Sequence, residues 1–250
     1  METVDVAVVT ALPEESAPLH DVIDLAPIYL GALPGKRGAF YQGTTASGLS
    51  VVLAVTGAGR AAAAEGMALL FAHYRPRLVI GGGIAGGVGS AVSLGDIVIA
   101  EETVCYDEDA TALKMPLGTL LRGRGAVTPL PGPAHLRDAV ARITGAREGL
   151  VHRGRVASGD TLLTRRTLAS LPENRRRLIE AAQAVDMESS VWVDFAHRGE
   201  IAMVLVRFVS DKVSTGDRLG FVHACETVGE ILVEALHTCR TGPDGAIVMQ

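Results

Sequence analysis

Apolar positions along the chain form short runs separated by stretches of helical period. Residues 4–11 (VDVAVVTA) alternate and then run apolar, as a strand entering a buried sheet does. The run stops at Leu12-Pro13, and Pro13-Glu14-Glu15 predicts a helix with proline in its first turn and acids behind it. Further strands are expected over 49–55, 78–80, 97–100, 151–157 and 201–209, and helices over 60–74, 134–146, 174–184 and 190–197. A last helix over 221–236 carries an apolar stripe that packs on a sheet. Residues 29–44, with Gly31, Pro34, Gly35, Gly38 and Gly43, suggest turns and a hairpin. Residues 117–133 read as a loop, and the tail from Thr241 as loosely ordered. Strands alternating with helices imply a layered α/β fold, and no linker composition divides the 250 residues, so one domain over 1–250 is expected.

Composition narrows the partners. A hydrophobic fraction of 48% is ample for a large core, and a formal charge of -5 argues against nucleic acid or an anionic membrane, which need a concentrated basic face. The dense cluster Arg175-Arg176-Arg177 reads as the solvated face of a helix. Cys105, Cys225 and Cys239 match no zinc or redox spacing, which suits reduced thiols in a cytoplasmic protein. The start, Met1-Glu2-Thr3-Val4-Asp5, has no basic segment of a signal peptide, and no uncharged apolar run reaches the roughly 18 residues of a membrane span.

Chemistry is suggested where carboxylates meet strand ends. Glu188 follows Val185-Asp186-Met187, and Asp211 closes Arg207-Phe208-Val209-Ser210. Strand ends on one side of an open α/β sheet form the crevice where ligands bind, so Glu188, Asp211 and Glu15 can face one small molecule. Taken singly, Glu188 also suits the first turn of a helix and Asp211 the start of a turn. Gly57-Ala58-Gly59-Arg60-Ala61-Ala62 has the form of a dinucleotide fingerprint, but the acid expected about twenty residues on is missing. Its glycines can still bring a helix N-terminus close to a ligand. The glycine-dense run from Gly81 to Gly89 is expected as a loop where backbone approaches a ligand or packs on the sheet, and without Gly-Lys-Ser/Thr it is no triphosphate loop. Counting from Asp107 puts Ala112 and Thr119 where a calcium loop needs Gly and Glu. Neither a nucleophile elbow nor a zinc motif occurs. Carboxylates beside glycine-rich backbone suit a polar, hydroxylated ligand and can split a glycosidic bond: one acid protonates the leaving group, one carboxylate activates water, and others hold sugar hydroxyls.

Seven short segments, in order, carry a specific resemblance: Ala11-Leu12-Pro13-Glu14-Glu15, Gly57-Ala58-Gly59, Gly83-Ile84-Ala85-Gly86-Gly87, Gly95-Asp96-Ile97-Val98, Ser158-Gly159-Asp160, Val185-Asp186-Met187-Glu188 and Val206-Arg207-Phe208-Val209-Ser210-Asp211. From Val6 to about Leu236 the chain resembles the nucleoside phosphorylase superfamily, and within it the methylthioadenosine/S-adenosylhomocysteine nucleosidases. The resemblance implies a three-layer α/β/α fold around a mixed, largely parallel sheet, a homodimer, no metal or cofactor, and hydrolysis of the N-glycosidic bond of a small-molecule 5′-modified purine nucleoside, with phosphorolysis, hydrolysis of a nucleoside such as futalosine, or nucleoside binding without turnover as the alternatives. It makes Asp211 the acid that protonates N7 of the purine, with Ser210 holding it, and Glu15 the base that polarises water. Glu188 becomes the clamp on the ribose 2′ and 3′ hydroxyls, with Met187 packing on the sugar and Arg207 orienting the carboxylates. Main chain near Leu162 and Leu163 would read the base, and Ile84, Ala85 and Gly86 would line the substrate. A partner subunit could lend residues from 107–111. Two departures bear on specificity. Ile84 stands where the nucleosidases usually have Ser, removing a donor that phosphate would want and favouring water; Gly-Ile-Ala-Gly-Gly also occurs in futalosine hydrolases. Leu162 replaces a Phe that stacks on adenine, forfeiting roughly 0.5 to 1.5 kcal/mol of aromatic preference.

Overall fold

The computed structural model describes residues 1–31, 39–119, 126–147 and 149–250; Pro34, Gly35 and Gly38 of the expected hairpin, and 120–125 of the expected loop, lie outside the described residues. In chain order the elements are β1 (Glu2–Thr10), α1 (Pro13–Val22), β2 (Ala26–Ile28), β3 (Ala39–Thr44), β4 (Ser50–Val55), α2 (Arg60–His73) and β5 (Tyr74–Gly87). Next come β6 (Ile97–Cys105), β7 (Val127–Pro129), α3 (Ala134–Thr144), β8 (Val151–Ser158), α4 (Arg165–Ser170) and α5 (Glu173–Glu180). The remainder are β9 (Ala184–Asp186), α6 (Ser189–Arg198), β10 (Ala202–Lys212), α7 (Phe221–Thr238), β11 (Cys239–Thr241) and β12 (Ile247–Met249).

The middle of the sheet is parallel, with β1 between β4 and β5 and β10 along the other edge of β5. Strands β10, β6, β8 and β9 then return to β5, so this half of the ten-stranded sheet closes on itself. Period-two alternation sends successive side chains to opposite faces. Val6, Val8, Val51, Leu53 and Val55 pack with Leu19, Leu136, Ala224 and Leu232 of α1, α3 and α7. Ala7, Val9, Val52 and Ala54 pack with Met67, Leu70, Trp192 and Val193 of α2 and α6 on the other face. Helices on both faces of a mixed sheet make the expected three layers.

The glycine-rich run differs most from its sequence reading. Gly81 to Gly87 is strand, held in register with Leu205 to Lys212 of β10. Glycine recurs because neighbours occupy the space of a Cβ: Leu232 covers Gly82, and the Arg207 guanidinium lies against Gly83. The pairing of β5 with β1 ends at Gly81 and that with β9 begins at Gly86, and the functional groups gather in the interval. The helix expected over 174–184 stops at Glu180 because Gln183 is bonded into the sheet: its amide donates to Arg155 and its carbonyl accepts from Val88. The tail is also ordered. Strands β11 and β12 pair antiparallel and bury Ile247 and Met249 against the α1, α3 and α7 face. All three cysteines are free and buried, and burial pushes each thiol up to about 12. Among the described residues no helix is long and apolar enough to cross a membrane.

Candidate active site

Glu15 lies at the third position of α1, opened by Pro13, where an acid can reach back to the free amides of the helix start. Its Oε2 accepts from Ala11 N (3.0 Å) and Leu12 N (2.9 Å), and its Oε1 from Ile84 N (2.9 Å) in the gap of β5. Its side chain is buried. Desolvation raises its pKa, against the lowering effects of Arg207 and of these three amides.

Arg207 of β10 is fully buried and joins the other carboxylates. Its Nη2 lies 2.6 Å from Asp186 Oδ2 and 3.6 Å from Glu188 Oε2, and both Nε (3.1 Å) and Nη2 (2.9 Å) donate to Ser189 Oγ. Its guanidinium carbon stands 4.8 Å from the centre of the Trp192 ring, and among the described residues Nη1 has no hydrogen-bond partner. Asp186 is the anchor: Oδ1 accepts from Ser158 Oγ (2.5 Å) and from the amides of Glu188 and Ser189 at the start of α6, and Oδ2 from Ser189 Oγ. Glu188 Oε1 accepts from Gly59 N at 2.8 Å, where Gly59, at φ 90°, caps α2.

Desolvation pushes the Glu188 pKa up to about 7, with Arg207 and the Gly59 amide opposing it and Asp186 adding to it. This favours protonation in the fold, so ionising Glu188 costs stability as pH rises from about 4.5, its unfolded value, through about 7. Glu188→Gln is therefore expected to raise Tm over the parent protein, and by more at pH 8 than at pH 5. The difference should be on the order of 2–3 kcal/mol, measurable by thermal unfolding at both pH values.

Asp211 lines a cleft next to this cluster. β10 carries a bulge, with Val209 opposite Ala85 and Asp211 opposite Gly86, so Ser210 is the extra residue. Ser210 Oγ donates to Asp211 Oδ1 at 3.0 Å. Partial burial raises the Asp211 pKa, with Ser210 and then Arg218 opposing. It faces a cleft of about 490 Å³ lined by Ile84, Leu163, Thr164, Arg218, Leu219 and Phe221 among others.

The expected site residues therefore fall into two groups. Asp211, Ser210, Ile84, Leu162 and Leu163 share the cleft; Leu162 is 74% exposed at its wall and Leu163 is buried. Glu15, Glu188 and Arg207 lie together outside the cleft lining, with half-buried Met187 beside Glu188. The Ile84–Gly86 segment joins the two groups. The Ile84 amide holds Glu15 while its side chain lines the cleft, Ala85 is buried, and Gly86 pairs with Asp211. Sequence reasoning assigned no role to Asp186 and Ser189, which hold Arg207, to Ser158, which holds Asp186, nor to Trp192 beneath the guanidinium or Arg218 and Phe221 in the cleft. Period two could have shown Asp186, since it and Glu188 are two residues apart at a strand end. The described residues contain no cluster of three or more His, Cys, Asp or Glu placed to hold a metal.

Residues 5–238 match the family described as the phosphorylase superfamily. The chain belongs to that superfamily. Among solved structures it is similar to 5′-methylthioadenosine/S-adenosylhomocysteine nucleosidase from Neisseria meningitidis in complex with methylthio-immucillin-A, at TM-score 0.78 and 26% identity over 94% of this chain and 99% of that one. S-adenosylhomocysteine nucleosidase from Streptococcus pyogenes in complex with 5-methylthiotubericidin matches at TM-score 0.76 and 21% identity, over 94% of this chain and 97% of that one. Futalosine hydrolase of Helicobacter pylori matches at TM-score 0.77 and 18% identity over the same shares, and these last two likenesses are of fold.

Proposed function

We propose that this superfamily member hydrolyses the N-glycosidic bond of a 5′-modified purine nucleoside and releases the base, with methylthioadenosine or S-adenosylhomocysteine as the default substrate. The observation that carries the reading is the Ile84–Gly86 segment, which has Glu15 bound to one end and Asp211 paired to the other. In this reading Asp211 protonates the purine N7 as the bond breaks, a task suited to an acid of raised pKa. Glu15 takes the proton of the attacking water, and the free Nη1 of Arg207 is available to hold that water. Glu188 accepts from the sugar hydroxyls and Met187 packs on the ring. Carboxylates around the sugar also favour the positive charge that develops on it.

Water is favoured over phosphate by charge. Glu15, Asp186 and Glu188 surround Arg207, the single buried cation among the described residues, so a phosphate dianion would meet three carboxylates with little to offset them. The Ile84 side chain adds no donor. A futalosine-type hydrolase is the second reading, favoured by that Ile84 and by the aliphatic Leu162. The superfamily resemblance also supports a homodimer in the cytoplasm, and the buried free thiols suit a reducing compartment. Chromatography of free base from methylthioadenosine, S-adenosylhomocysteine, adenosine, inosine and futalosine, without phosphate, is the test. Adenine from the first two is expected. Base from futalosine alone would move the assignment to the second reading, and no release from any of them would overturn the proposal.

A further inference from the structure

Arg60 opens α2, one residue after the Gly59 amide that binds Glu188. Its partners come from three parts of the fold. The Arg60 amide donates to Asp160 Oδ1 (2.8 Å) and Nε to Asp160 Oδ2 (3.1 Å), a paired hold on the turn after β8. Nη1 donates to Cys105 Sγ (2.8 Å) and Glu108 Oε2 (3.1 Å), and Nη2 lies 3.3 Å from Asp107 Oδ1, all at the end of β6. The two loops are themselves tied, since Asp107 Oδ2 accepts from the Asp160 amide at 2.7 Å. An exposed ion pair contributes little, but this guanidinium is only 21% exposed and its network includes two backbone amides.

We propose that Arg60 is a positioning residue for sugar recognition: it fixes the Gly59 amide that aims Glu188, and through Asp160 it fixes the turn leading to Leu162 and Leu163. The inference rests on the reading of Glu188 as the clamp on the ribose hydroxyls. Among the described residues Glu188 has a single backbone donor, Gly59, on its Oε1, and Gly59 has no side chain of its own to hold that geometry. Its carbonyl accepts from Ala63 N at 2.9 Å within α2, and the adjacent Arg60 ties it to the loops after β6 and β8. On the other side, the Thr161 carbonyl accepts from Tyr106 Oη at 2.9 Å, so the segment after Asp160 is held at both ends before it reaches the cleft. One cation thereby couples the loop at the sugar to the loop at the base.

The test compares Arg60→Met, Arg60→Lys and Asp160→Ala with the parent protein on methylthioadenosine and its 2′-deoxy counterpart, measuring kcat, KM and, by calorimetry, Kd for both. Asp160 is half-exposed, so its replacement cuts the tether without emptying a core position and serves if Arg60→Met does not fold. The preference for the ribonucleoside over the deoxynucleoside is expected to fall about tenfold in Arg60→Met, through KM, the size of effect that a lost charge-assisted hydrogen bond produces. Asp160→Ala should fall in the same direction and Arg60→Lys should recover part of the preference. In a Glu188→Gln background, Arg60→Met should change the ratio no further. A role in folding alone would lower kcat equally on both nucleosides and leave their ratio intact, and that result in folded variants overturns the inference. Should the parent protein bind both nucleosides without cleaving them, the hydrolytic reading fails while the Kd ratio still decides the role of Arg60. A parent protein that does not discriminate between them removes the clamp and the inference together.

Discussion

Asp211→Asn is expected to lower kcat by about a hundredfold to ten-thousandfold while leaving nucleoside binding nearly intact, the range seen when a positioned proton donor is removed. Asn keeps the size of the side chain and can still meet Ser210, so the bulge that presents position 211 to the cleft should persist. The loss should depend on pH. Burial raises the Asp211 pKa, and a general acid works only while protonated, so kcat of the parent protein should fall as pH rises through that pKa. The variant should lack that limb. Steady-state kinetics across pH, with calorimetric binding of the substrate to the variant, separates the two effects. Full kcat in Asp211→Asn would remove it as the donor.

Arg207→Met is expected to act on stability as strongly as on turnover. The guanidinium is the buried cation facing Glu15, Asp186 and Glu188, and removing one partner of such a group strands the others at a cost of about 3–5 kcal/mol. Denaturant unfolding should show the loss in full at pH 8 and a smaller loss at pH 5. Glu15 and Glu188 already have raised pKa values, and without Arg207 their protonated forms would be favoured further, relieving the stranded charge as pH falls. Arg207→Lys keeps the charge but cannot donate from two nitrogens to Ser189 while reaching Asp186, so it should fall between the two. Equal stability of Arg207→Met and the parent protein at pH 8 would show that the cluster is not held by this cation.

The fold was legible where periodicity is strong. The buried strands 4–11 and 49–55 and the striped helix α7 stand within a few residues of their expected bounds. It was not legible where tertiary contacts override local pattern. The glycine-rich run 81–87 looks like a loop because five of its seven residues carry no side chain to signal a strand, yet β10 supplies the pairing, and Leu232 and Arg207 fill the space above Gly82 and Gly83. Residues 183 and 184 continue a helical pattern in sequence, but β8 and β5 take them into the sheet. For the candidate site, carboxylates at strand ends exposed Glu15, Glu188 and Asp211, whereas Ser158, Ser189 and Trp192 carry no sequence signal of their role. Their contact with Arg207, direct or through Asp186, exists only once β8, α6 and β10 are assembled. Arg60 was equally hidden, since its partners lie 45 to 100 residues away.

The most direct measurement is the identity of the sugar product. The protein is incubated with methylthioadenosine in the presence of phosphate, and the products are analysed by mass spectrometry. Free methylthioribose alongside adenine, at a rate unaffected by phosphate, is the predicted result. A sugar 1-phosphate, formed only when phosphate is supplied, would contradict hydrolysis and the role given to Glu15 and Ile84.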